Sequence, residues 1–110
     1  MDSVIAESWK YLIVWEFRVK LGKNAEFESA YGPGGVWAAF FSRGTGYVAT
    51  ELSLDQADCQ RYVTLDFWSS REAYELFRQQ WAEEYGAIDG SCEGMTESEA
   101  EVGCFERCGG

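Results

Sequence analysis

The chain has 110 residues, a formal net charge of -10 and no histidine. Its length fits one domain, able to hide roughly two-thirds of its unfolded surface, and its acidity disfavours nucleic acid, whose binding needs basic side chains to neutralise phosphates. The missing histidine removes Ser-His-Asp and Cys-His catalysis, paired-histidine zinc and His-held haem, so any acid or base is Asp, Glu, Lys, Tyr or Cys.

No window approaches the roughly twenty apolar residues needed to span a bilayer. The start, MDSVIAES, lacks the basic flank and apolar core of a secretory signal, so the chain reads as cytoplasmic, with no membrane partner. Cys59, Cys92, Cys104 and Cys108 contain no pair with a two-residue gap, and structural zinc normally uses two such pairs, which argues against zinc and for free thiols. Cys108, in a Gly-rich tail, is the one open to oxidation or to joining two chains.

Residues 1–9 read as a loose leader, 10–106 as a single α+β domain and 107–110 as a flexible tail. From Lys10 to Lys20 the residues Tyr11, Ile13, Trp15, Phe17 and Val19 alternate on one face, which predicts a strand. Its other face carries Leu12 and Val14 beside Glu16 and Arg18, apolar enough to need partial cover. Gly22 ends the strand, Asn24 is the expected N-cap, and Phe27, Ala30 and Tyr31 make a helical stripe. Gly32-Pro33-Gly34-Gly35 interrupts it, since Pro turns the preceding residue away from helical angles, and helical spacing resumes with Val36, Trp37, Phe40 and Phe41. Such a break either bends the chain around the core or leaves a gap above the sheet.

Tyr47 to Leu54 predicts a second strand, with Val48, Thr50, Leu52 and Leu54 in one row. A polar link leads to a third, Arg61 to Trp68, most simply as an antiparallel hairpin. Val63, Leu65 and Phe67 form its apolar row; Tyr62, Thr64, Asp66 and Trp68 mix rings with polar groups and either line a pocket or face solvent. Ser69 and Glu72 have capping-box spacing. The helix that follows places Tyr74, Phe77, Trp81 and Tyr85 on one face, with Arg71, Glu75, Arg78 and Gln79 largely opposite. Beyond Tyr85 the signal fades: Ile88, Cys92 and Met95 suit a short helix, Thr96 and Glu99 repeat the cap spacing, and Val102 to Phe105 a short last strand. The order is βαββαβ, a ferredoxin-like split βαβ fold with helices on one face of an antiparallel sheet. The apolar second face suggests a homodimer.

The segments EFRVKLGKNAEFESAY, GYVATEL and RYVTLDFWSSREAYELF together resemble the antibiotic biosynthesis monooxygenase family, over roughly Lys10 to Phe105. GPGG followed by Trp37 is similar to a branch apart from its best-known enzymes. The resemblance implies a dimeric α+β barrel, a homodimer, and oxygenation of a small aromatic or polyketide-like substrate with no cofactor, neither metal nor flavin. It implies catalytic roles for Trp68, which would stack on the substrate, and for Tyr74, six residues later, whose hydroxyl would hydrogen-bond to it. Thr64 stands where those enzymes carry an Asn amide, and the Arg of their second helical region is expected to lack a basic counterpart. Haem degradation, the family's other activity, is disfavoured: there is no His, and Trp15 falls at the first-strand Asn.

Thr64, Tyr31, Trp37, Tyr62 and Trp81 are the candidate substrate-binding residues. Trp68 and Tyr74 also have the plain reading of a strand-end ring packed on its helix. Glu16 and Asp66 are the strand carboxylates; either could act as a base if an apolar pocket raised its pKa, or they pair with Arg18 or Arg61. The alternative function is a non-catalytic homodimeric module that binds a ligand or serves assembly.

Overall fold

The computed structural model describes residues 9–108. The expected leader lies outside them except for Trp9, whose ring meets Phe67 edge-on at 5.3 Å. Four strands, β1 (Tyr11–Val19), β2 (Tyr47–Leu54), β3 (Arg61–Trp68) and β4 (Thr96–Glu106), form one sheet in the order β2-β3-β1-β4 with every neighbour antiparallel. The helices are α1 (Asn24–Tyr31), α2 (Val36–Phe41), α3 (Arg71–Gln80) and α4 (Ala82–Cys92). This is the expected ferredoxin-like α+β arrangement. None of these helices is long and apolar enough to cross a membrane.

The alternation in β1 sets the inside of the molecule. Tyr11, Ile13, Phe17 and Val19 are buried, and they pack with Phe27 and Tyr31 of α1, Trp37, Phe40 and Phe41 of α2, and Phe77 of α3. On β3 the mixed row is the inner one: Tyr62, Thr64 and Trp68 are buried, while Val63 and Leu65 are half-buried on the outer face with Leu12 and Val14.

Several local expectations are corrected. The α3 cap is Ser70, whose side chain accepts the Ala73 N–H at 3.0 Å; Ser69 still belongs to the sheet, its N–H donating to the Gly46 carbonyl. Asn24 does not cap α1. Its amide instead donates to the Cys59 carbonyl and the Tyr62 hydroxyl, tying the helix to the β2–β3 link. A bulge between Tyr47 and Ala49 breaks the β2 alternation, so Tyr47 joins Thr50 and Leu52 in packing inward, and Leu54 is exposed. The helical stripe from Tyr74 to Tyr85 is divided at Trp81, which leaves helical angles (φ -116°, ψ 29°) between α3 and α4. The last strand is far longer than Val102–Phe105, because the acidic run from Thr96 pairs along the free edge of β1.

Gly35 is needed at the α1–α2 break for closeness rather than freedom. A Cβ there would lie 2.3 Å from the Ala30 carbonyl oxygen, so the two short helices can turn this tightly only without a side chain.

Candidate active site

The register of the sheet builds the floor of a pocket. Thr50 of β2, Asp66 of β3 and Ile13 of β1 stand side by side on the inner face, and Thr64 and Trp15 form the next row. Above them the two helices on either side of the α1–α2 break supply Tyr31, Trp37 and Phe41, and α3 and α4 contribute Tyr74, Arg78, Tyr85 and Asp89. Glu99 and Glu101 of β4 close one side. The cavity measures about 310 Å³, within the range that holds small organic ligands.

Asp66 is the one carboxylate on the sheet floor. Burial pushes its carboxyl up to about 6, against the lowering effect of a hydrogen bond from Thr50. That bond runs from Thr50 Oγ1 to Asp66 Oδ1 at 2.7 Å, and the Tyr47 hydroxyl lies 2.7 Å from the same Oγ1. Among the described residues no cation pairs with Asp66. Glu16, the carboxylate of β1, points to the outer face and pairs with Arg61 at 2.9 Å.

The polar group on the helical side is a cation with a phenol. Arg78 Nη1 donates to the Tyr74 hydroxyl at 2.9 Å, and its guanidinium lies 3.8 Å from the centre of the Tyr85 ring. Because Tyr74 accepts from Arg78, its own proton remains free to donate. Burial raises the pKa of Tyr31, Tyr74 and Tyr85, the last to about 12, so all three are proton donors at neutral pH.

Of the residues singled out in the sequence, Tyr74, Thr64, Tyr31 and Trp37 line the pocket, and Trp68, Tyr62 and Trp81 do not. Trp68 is fully buried between Tyr47, Tyr74 and Phe77, its ring 5.4 Å from that of Tyr74. The indole N–H groups of Trp68 and Trp37 are buried and meet no hydrogen-bond partner within 3.5 Å among the described residues. Tyr62 sits behind Phe27, donating to Glu28 and accepting from Asn24. Trp81 packs on Phe77 under the Arg43 guanidinium.

Arg78, expected largely opposite Tyr74, instead joins it at the cavity and donates to its hydroxyl. It lies one turn after Tyr74 and shares its face, a spacing of four that was legible in the sequence. Tyr47 was hidden by the bulge. Among the described residues no group of His, Cys, Asp and Glu is placed to hold a metal ion, and all four cysteines are unpaired thiols.

No family model matches the sequence, and no curated protein matches it. Solved structures do. SnoaB, a cofactor-independent oxygenase from Streptomyces nogalater, is 24% identical, with a TM-score of 0.73 over 90% of this chain and 93% of that one. The fold is that of the antibiotic biosynthesis monooxygenases. Proteins named as candidate members from Bordetella bronchiseptica and Nitrosomonas europaea share it at TM-scores of 0.69 and 0.67. They are 16% and 14% identical, over 90% and 93% of this chain and 97% and 93% of theirs. At these identities the likeness establishes the monooxygenase-like fold.

Proposed function

We propose that the chain is a cofactor-independent monooxygenase of a small aromatic, polyketide-like phenol bound between sheet and helices. The observation that carries this is Asp66, a carboxylate enclosed among aromatic rings with its pKa raised to about 6, facing the Tyr74–Arg78 pair. The name of SnoaB adds the reaction class.

In this reading Asp66 takes a proton from an acidic CH₂ of the substrate. The electron pair left behind spreads to a conjugated carbonyl oxygen, which becomes a phenolate held by Tyr74 beside Arg78. The carbanion reduces dioxygen and forms a C–O bond, and Asp66 returns its proton to make a hydroperoxide. Loss of the second C–H proton then breaks the O–O bond, so CH₂ and O₂ become C=O and H₂O. Trp37, Tyr31 and Thr64 hold the substrate; Trp68 supports Tyr74 from behind. The lining carries four carboxylates, Asp66, Asp89, Glu99 and Glu101, against the single guanidinium of Arg78, which disfavours substrates bearing a carboxylate of their own. The working unit is a homodimer closed through the outer sheet face.

Oxygen uptake with a panel of anthrones and hydroquinones, with metal chelated and no flavin, tests the reading. Uptake is expected with neutral substrates, weaker with carboxylated ones, and lost in Asp66→Asn. No uptake by the folded protein across the panel overturns it. The second reading is a non-catalytic homodimeric ligand-binding or assembly module, and one observation favours it: Trp68 is closed into the core rather than lining the pocket.

A further inference from the structure

Resting on the reading of Asp66 as the base, we infer that Thr50 and Tyr47 are positioning residues that select which oxygen of that carboxylate receives the substrate's proton. A threonine hydroxyl has one proton to give. Thr50 gives it to Asp66 Oδ1 at 2.7 Å, so at the other 2.7 Å contact Tyr47 is the donor and Thr50 the acceptor. The three groups form a directed chain, Tyr47 to Thr50 to Asp66.

Protonation of Oδ1 would break this order. The new O–H would have to donate to Thr50, Thr50 would have to turn toward Tyr47, and the phenol would lose its acceptor. Protonation of Oδ2 disturbs none of these bonds. The chain therefore reserves Oδ1 and leaves Oδ2 as the basic oxygen, in a residue that borders the cavity. Thr50 is buried, and the Tyr47 ring is fixed between Phe41 and Trp68, so the arrangement is held by the core before any ligand arrives.

Other titratable and charged groups border the cavity: Tyr74 and Arg78 from α3, Tyr85 and Asp89 from α4, Tyr31 from α1, and Glu99 and Glu101 from β4. They stay in place when Thr50 is changed. The test is carbon-13 NMR titration of protein labelled at its aspartate carboxyl carbons, with Asp66 assigned by its loss in Asp66→Asn. In Thr50→Val the proton affinity of Asp66 is expected to rise about tenfold, because a hydrogen bond to the charged form is gone. Thr50→Ser restores the wild-type titration. Tyr47→Phe gives a smaller rise, since Thr50 loses the donor that polarises it, and serves if the valine variant does not fold.

With a substrate in hand, Thr50→Val lowers kcat with KM held and moves the acidic limb of the rate profile to higher pH. The titration needs no substrate, so a raised Asp66 affinity supports the chain even in a protein that consumes no oxygen. An Asp66 titration identical in wild type, Thr50→Val and Tyr47→Phe overturns the inference, and normal oxygen uptake beside it leaves the base reading standing.

Discussion

Asp66 binds its proton more tightly in the folded chain, near pH 6, than an ordinary aspartate does near 3.8. Its contribution to stability is therefore full below about pH 4 and is lost as the pH rises through 6. Asp66→Asn is expected to melt higher than the wild type at pH 8, by an amount on the order of 2 kcal/mol, and to match it at pH 4. Thermal melts at the two pH values check this. A base must be unprotonated to act, so turnover should climb with pH through the same interval. Trp68 and Tyr74, neighbours in sequence and in contact, separate in their effects. Trp68→Phe leaves a cavity in the core and should cost about 1–3 kcal/mol in chemical denaturation. Tyr74→Phe removes only a hydroxyl at the cavity wall, and should cut oxygen uptake with little change in melting.

Among the elements, the α1–α2 break is the most exacting. A Cβ on Gly35 cannot coexist with the Ala30 carbonyl at 2.3 Å, so Gly35→Ala must push the helices apart, at a cost of about 2 kcal/mol or more, and separate the packed rings of Tyr31 and Trp37. Loss of ligand affinity together with a lower melting temperature is the expected result. The strands β1 and β3 were readable because each alternates cleanly. The mixed row of β3 stayed open between pocket and solvent, since only the register, which sets Thr64 beside Leu52 and Asp66 beside Thr50 under the helices, decides it. Local pattern failed at Tyr47, where the bulge before Ala49 turns that ring into the row of Thr50 and Leu52, and at β4, where Thr96 to Glu101 has little strand propensity of its own and is extended because β1 has an edge to pair. A helical wheel drawn past Trp81 likewise misses the change of direction there.

At the scale of the molecule, the pocket belongs to no single element. Its buried carboxylate comes from β3, its cation from α3 and its acidic wall from β4, so only the complete topology assembles it. The outer face is where a second copy is proposed to sit, on Leu12, Val14, Val63 and Leu65. A charge placed there, Val14→Lys, should shift the species seen by sedimentation from dimer to monomer, and an unchanged dimer would place the contact elsewhere. The strand β4 ends the sheet, and among the described residues one side of its backbone has no partner strand. Glu97, Glu99, Glu101 and Glu106 run along it, and two bulges bend it. Mutual repulsion of these carboxylates is then a guard against further strands adding to the border. The guard is set by proton concentration: near the sequence isoelectric point of about 4.3 the repulsion fades while the backbone hydrogen-bonding groups remain, so acid should turn this border into a template for fibrous growth.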